Sequence, residues 1–174
     1  MTTKVEFNGH TYDIDTGIAH VIKTLNEKGY RTTMCCEGHK CDTTIGYTPL
    51  TIHFEIGNLP PRPLINGFTR HCRQFGSQRY PSYNYGGHFR HCRPYNRVYQ
   101  GHYIPTIDFY YSQYKKVDQD AEKEYLLSEL NKWVDSLPIK NEADCLAREK
   151  RACTLVGKID FTTGEYDDYY ERIE

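Results

Sequence analysis

The middle of this sequence has no acidic side chains. Residues 56–107 contain no Asp, Glu or Lys, yet they carry seven arginines. The preceding region has a charge of −2 and the following region a charge of −6, so the net charge of −1 conceals a central region of +7. Because the segment contains no carboxylates, its arginines cannot form ion pairs within it. This indicates an acidic partner from outside the segment.

Long apolar runs are also missing. Leu, Ile, Val and Phe together number 35 of 174 residues, although sixteen tyrosines and one tryptophan add ring area that a core can bury. No stretch approaches the roughly 20 apolar residues of a membrane-spanning helix, and the start does not resemble a signal peptide. We therefore expect a cytoplasmic protein with a single domain over residues 1–174 and no membrane partner.

The periodic segments predict an α+β fold. Asn8-Gly9 between two β-type runs indicates a hairpin, and Asp15 or Thr16 then offers an N-cap for a helix that Gly29 ends. Further strands are predicted at 31–35, 50–56 and 104–111, helices at 118–137 and 141–153, and a closing hairpin at 158–161 and 165–169. The expected architecture is a mostly antiparallel sheet with three helices packed on it, and with residues 60–103 as an inserted loop or lobe rich in Arg and Tyr.

Within this insert an Arg-His-Cys-Arg tetrapeptide occurs twice, at 70–73 and 90–93. Arginine pairs bidentately with phosphate or guanine, and tyrosine stacks on any base. The side chains that we expect to contact nucleic acid are Arg70, Arg73, Arg79, Arg90, Arg93, Arg97, Tyr80, Tyr83, Tyr85, Tyr95 and Tyr99. The pattern predicts binding of DNA, RNA or a nucleoprotein, with an affinity that falls steeply with salt.

Other interpretations of the insert remain open. It is compatible with a solvated surface loop, or with arginines that pair with the acidic C-terminal part within one chain or across a homodimer. Histidines in the segment also allow a metal-independent or Cys/His-dependent nuclease or an RNA-modifying enzyme, in which they would act as acid and base. Those histidines are His71, His88, His91 and His102.

A second candidate site is the turn formed by Cys35, Cys36, Glu37, Gly38 and His39. The seven cysteines, an odd number, favour reduced thiols or metal ligands over disulfides in a cytoplasmic protein. The candidate ligands of a structural zinc ion are Cys36, His39, Cys41, His71, Cys72, His91 and Cys92. With such an ion the chain could instead be a zinc-stabilised protein-interaction module that has no nucleic-acid role. Alternatively, Cys35 and Cys36 are small residues buried at a strand end, or Cys36 is a nucleophile with His39 as its base and Glu37 or Glu55 as the orienting group.

The segment Leu-Asn-x-Lys-Gly-Tyr-x-Thr-x-x-Cys-Cys-x-Gly-His at 25–39 resembles small uncharacterised proteins of Firmicutes, their prophages and mobile elements. Those proteins also tend to carry a late strand and then a helix with the pattern seen here as Leu130-x-x-Trp133-x-x-x-Leu137-Pro138. The Cys-x-Gly turn is similar to a segment of wybutosine-type tRNA modification proteins. The mobile-element resemblance implies action against host defence, for example as a type II anti-CRISPR protein that inhibits Cas9 with its guide RNA.

Overall fold

The computed structural model describes residues 1–40, 47–65, 72–75, 105–109, 111, 117–152 and 162, with the backbone alone at 72–75 and 152. In these residues the chain forms a two-stranded and a four-stranded antiparallel sheet and three α-helices. The predicted α+β class is therefore confirmed. The predicted closing hairpin and most of the Arg/Tyr-rich insert lie outside the described residues.

The first two strands form the predicted hairpin. Strand β1 (Thr2–Phe7) pairs with β2 (His10–Asp15), and Asn8 and Gly9 connect them with φ angles of 52° and 76°. A two-residue type I′ turn requires a positive φ at both positions, which asparagine and glycine tolerate best. The Asn-Gly pair thus sets the register that places Asp15 opposite Thr2.

Helix α1 (Ala19–Glu27) also follows the prediction, and it ends at Gly29, where φ is +90°. Gly29 N–H donates to the carbonyl of Asn26 and Tyr30 N–H to that of Leu25, which is the Schellman pattern of a helix end. The predicted N-cap was wrong. Residues Thr16–Ile18 form a 3₁₀ turn before α1, so the Asp15 side chain caps no helix and is available for other contacts.

The four-stranded sheet has the order β3 (Thr32–Cys36), β4 (Leu50–Phe54), β6 (Thr106–Phe109) and β5 (Cys72–Phe75). Strand β4 is shorter than predicted because the chain turns at Gly57, whose φ is +75°. Strand β5 lies within the predicted insert, so part of that insert is the edge of the sheet.

Helices α2 (Gln119–Ser136) and α3 (Glu142–Ala152) agree with the two predicted late helices. Asp118 caps α2, because its carboxylate accepts the N–H groups of Asp120 and Ala121. Helix α1 packs against α2, β1 and β3. The shared core contains Ile18, Val21, Ile22, Leu25, Leu50, Ile52, Phe54, Ile107, Phe109, Leu126, Leu130 and Val134. Among the described residues, no helix combines the length and the apolar character needed to cross a membrane.

Two charged side chains fasten loops to the helices. Glu149 of α3 is fully buried, and its two carboxylate oxygens accept N–H groups of Gly57 at 3.0 Å and Leu59 at 2.9 Å. Burial raises the pKa of Glu149, although these backbone N–H groups oppose the shift. The ammonium of Lys28, just after α1, donates to three carbonyls at the C-terminal end of α2 at 2.6–2.8 Å. Both contacts join segments that are distant in sequence.

Candidate functional site

Residues 35–39, here called the Cys36 turn, lie at the end of β3. The turn contains Gly38, which no other residue can replace unless neighbouring atoms shift. Gly38 is buried and has a φ of +80°. A Cβ atom at this position would overlap the carbonyl oxygen of Thr48 and would lie 2.7 Å from Cε2 of Tyr111. The backbone of the turn is therefore fixed by its surroundings as well as by its own conformation.

The Cys36 turn is also fastened to its neighbours by Glu37. One carboxylate oxygen of Glu37 accepts Gly17 N–H at 2.8 Å, and the other lies 3.0 Å from the ammonium of Lys123 in α2. Lys123 additionally donates to the carbonyl of Gly38 at 2.8 Å, and the Tyr111 hydroxyl donates to the carbonyl of Glu37 at 2.9 Å. Burial raises the pKa of Tyr111, which keeps the phenol protonated as a donor.

Three side chains that can bind a metal converge beside this turn. Asp15 at the end of β2, Cys36 at the end of β3 and His39 each offer one ligand atom, and these atoms lie within 4.8 Å of one another. Oδ2 of Asp15 is 3.2 Å from Nε2 of His39. The side chain of Asp15 is 15% exposed and that of His39 is 52% exposed, so solvent reaches the group from the His39 side. We call these three residues the Asp15 cluster.

Backbone N–H groups of the Cys36 turn point at two members of the cluster. Glu37 N–H donates to Oδ2 of Asp15 at 3.2 Å, and Gly38 N–H donates to Sγ of Cys36 at 3.4 Å. Both donors belong to the backbone of the turn, so their positions follow from its conformation. The turn thus positions its own cysteine and the carboxylate of another strand.

The two adjacent cysteines differ in their surroundings. Cys35 packs against the core, and burial, with a smaller contribution from the carboxylate of Asp15, raises the pKa of its thiol to about 11. A thiol with such a pKa is a weak nucleophile and a poor ligand at neutral pH. The interpretation as a cysteine packed into the core at a strand end therefore fits Cys35, whereas Cys36 is part of the Asp15 cluster.

Neither carboxylate predicted to orient His39 does so. Glu37 is bound to Gly17 and Lys123, and Glu55 lies 3.6 Å from Arg31. The carboxylate beside His39 belongs to Asp15. The sequence gives little indication of this role for Asp15. An aspartate between a strand and a helix is more often a helix cap.

Beside the site, two side chains that follow the Cys36 turn contact the first turn of α2. Lys40 lies 2.9 Å from Oδ2 of Asp120, and the Tyr47 hydroxyl donates to the same carboxylate. These two hydrogen bonds lower the pKa of Asp120. The Tyr47 and Tyr111 rings are 5.3 Å apart, and the ammonium of Lys123 is 4.8 Å from the Tyr47 ring centre. The acidic first turn of α2 therefore already has cationic and phenolic partners.

The structure describes little of the predicted nucleic-acid site. In β5 the residue Arg73 is opposite Asp108 of β6, and Phe75 is opposite Thr106. The other predicted contact residues lie outside the described residues: Arg70, Arg79, Arg90, Arg93, Arg97, Tyr80, Tyr83, Tyr85, Tyr95 and Tyr99. Of the predicted zinc ligands, Cys36 and His39 lie together. Cys72 is in β5, where the structure describes the backbone alone. The remaining four lie outside the described residues: Cys41, His71, His91 and Cys92.

No protein-family model, curated protein or solved structure matches this chain.

Proposed function

We propose that this protein binds nucleic acid or a nucleoprotein, without catalysis, through the arginine segment that we define as residues 67–103. The observation that carries the proposal is the complete lack of Asp, Glu and Lys over residues 56–107, together with seven arginines. Clustered arginine with interspersed tyrosine is the composition that neutralises phosphates and stacks on bases.

The way the segment joins the sheet supports this proposal. Strands β5 and β6 are antiparallel neighbours, so Phe75 and Thr106 are paired and the intervening chain leaves and returns at one end of the sheet edge. Most of the predicted contact residues lie in this connection. Because Phe75 and Thr106 are paired, the two ends of this connection are held close together before a partner binds.

The partners of the acidic side chains argue against the alternative in which the arginines are neutralised by the helices of the same chain. In α2 and α3, several carboxylates already have partners among the described residues. Asp118 caps α2, Asp120 binds Lys40, Glu129 binds Lys132, Asp135 binds His20 and Glu149 accepts backbone N–H groups. Arginines that would compete for these groups must first displace local contacts.

Binding is tested by replacing Arg70, Arg73, Arg90 and Arg93 with alanine and measuring affinity for labelled DNA and RNA at several salt concentrations. Loss of four phosphate contacts should lower the salt slope by about 3.6 for duplex DNA and about 2.8 for single strands. A matched control removes four exposed cations elsewhere, namely Lys4, Lys23, Arg31 and Lys132. The proposal fails if the two quadruple variants bind alike, and cleavage of the labelled substrates would favour the nuclease alternative.

A narrower form of the proposal is inhibition of a host-defence nuclease such as CRISPR-Cas9, in keeping with the resemblance to mobile-element proteins. A Cas9–guide RNA cleavage reaction with stoichiometric excess of the protein tests it. We expect cleavage to be blocked by the parent and by the control variant but not by the arginine variant. Unaffected cleavage with the parent would remove Cas9 as the target and would leave nucleic-acid binding to be judged by its own measurement.

A further inference from the structure

We propose that Asp15, Cys36 and His39 bind one Zn²⁺ ion. The three side chains offer an oxygen, a sulfur and a nitrogen ligand, which is the mixture that zinc accepts and that magnesium or calcium does not. They come from two strands of different sheets and from the Cys36 turn, and their ligand atoms lie within 4.8 Å of one another. The site is independent of the proposed nucleic-acid contacts.

The distances fit a tetrahedral ion. Zinc bonds of about 2.0–2.3 Å place neighbouring ligand atoms roughly 3.3–3.8 Å apart. Oδ2 of Asp15 and Nε2 of His39 are already 3.2 Å apart, and the longest separation within the cluster is at most 4.8 Å. Small side-chain rotations therefore bring all three atoms to bonding distance of one ion.

The surroundings of the cluster are those of an organised metal site. Zinc ligands are usually oriented by a second set of hydrogen bonds. Glu37 N–H supplies one to Asp15, and Gly38 N–H supplies one to Cys36. The backbone that carries these donors is held by Lys123 and Tyr111 at 2.8–2.9 Å, so the turn itself is positioned before an ion arrives.

An ordinary ion pair between Asp15 and His39 explains their 3.2 Å contact but leaves the position of Cys36 without a role. A zinc ion accounts for all three side chains. Because they supply three ligands, a fourth coordination position remains on the half-exposed side of His39, open to water or to a bound group. The ion would also link the β1–β2 hairpin to the four-stranded sheet.

The test is zinc titration of the reduced full chain after chelator treatment, with a chromogenic chelator as competitor. We expect one zinc ion that is lost or weakened by more than about 100-fold in Asp15→Asn, Cys36→Ser and His39→Asn, beyond what loss of an outer hydrogen bond costs. Matched controls are Asp13→Asn, Cys35→Ser and His10→Asn, which change the same residue types nearby. Cobalt substitution should give a thiolate-to-metal charge-transfer band in the parent and the controls but not in Cys36→Ser.

A second measurement uses the parent alone, in case a ligand variant does not fold. Zinc should slow alkylation of Cys36, mapped by peptide mass spectrometry, because a coordinated thiolate is shielded. The proposal is overturned if the parent binds no zinc, if Cys36→Ser binds it as tightly as the parent, or if zinc leaves Cys36 alkylation unchanged. An equal loss in Cys35→Ser and Cys36→Ser would likewise assign the effect to a general disturbance of β3.

Discussion

Replacement of Gly38 by alanine should destabilise the protein more than the same replacement at Gly9. Both glycines have similar backbone angles, with φ of +80° at Gly38 and +76° at Gly9. They differ in the space around them. A Cβ at Gly9 would have no neighbour within 4 Å, whereas a Cβ at Gly38 would overlap the Thr48 carbonyl and press on the Tyr111 ring. Comparing the two variants therefore separates the energetic cost of backbone strain from that of steric contact.

The expected magnitudes follow from these two terms. An L-residue in the left-handed region costs about 1–2 kcal/mol, and this is the whole expected loss for Gly9→Ala. At Gly38 the same strain is joined by overpacking in a buried site, which typically costs about 1–3 kcal/mol. The sum is about 2–5 kcal/mol for Gly38→Ala. The gain from a stiffer unfolded chain is nearly equal in both variants and cancels in the comparison.

Urea unfolding followed by far-ultraviolet circular dichroism measures both free energies. The midpoint should fall in both variants, and further in Gly38→Ala, while the slope stays close to that of the parent. If Gly38→Ala lost no more stability than Gly9→Ala, the Cys36 turn would not be held tightly between Thr48 and Tyr111. The turn would then not hold the zinc ligands in place before the ion binds.

Glu149 and Lys28, the two charged side chains that join distant segments, give two further predictions. Glu149→Ala should lose about 2–6 kcal/mol at neutral pH, because the half-buried N–H of Gly57 and the buried N–H of Leu59 each lose their acceptor. Since the pKa of Glu149 is raised in the fold, the parent should lose stability as pH rises from about 4.5 through the raised value, and Glu149→Ala should lack this slope in urea unfolding measured across pH. Lys28→Met should lower the free energy of unfolding by about 2 kcal/mol, because three hydrogen bonds to carbonyls are lost. Lys23→Met removes only an exposed ion pair with Glu27 at 3.8 Å and should change this free energy by less than about 0.5 kcal/mol. Thermal unfolding of the two variants measures the difference. Equal midpoints for the two lysine variants, or a pH profile of Glu149→Ala identical to that of the parent, would contradict these expectations.

Elements with a local signal were predictable. The Asn8-Gly9 turn needs a positive φ at two successive residues, and few other pairs allow this. Helix α2 carries its own cap at Asp118, and Pro138 follows its end. Strand β5 was not predictable, because an edge strand of four residues depends on hydrogen bonds to β6, some thirty residues further along the chain.

The candidate metal site was predictable only in part. Cys36 and His39 are three residues apart, so a single turn brings them together and their pairing can be read from the spacing. Asp15 precedes Cys36 by 21 residues and ends a strand of another sheet. No spacing rule connects it to the turn, and its place before a helix suggested a cap instead.

The sequence by itself determined the α+β class, the turn at Gly38 and the uneven distribution of charge, because backbone preferences, hydrophobic periodicity and net charge are properties of short segments. Only the tertiary structure decided which carboxylate lies beside His39, which of the two adjacent cysteines faces that group, and which acidic side chains already have partners. These outcomes depend on how β2, β3 and α2 pack together. Packing of distant segments sets the distances between charges and their exposure to water, and a linear sequence specifies neither directly.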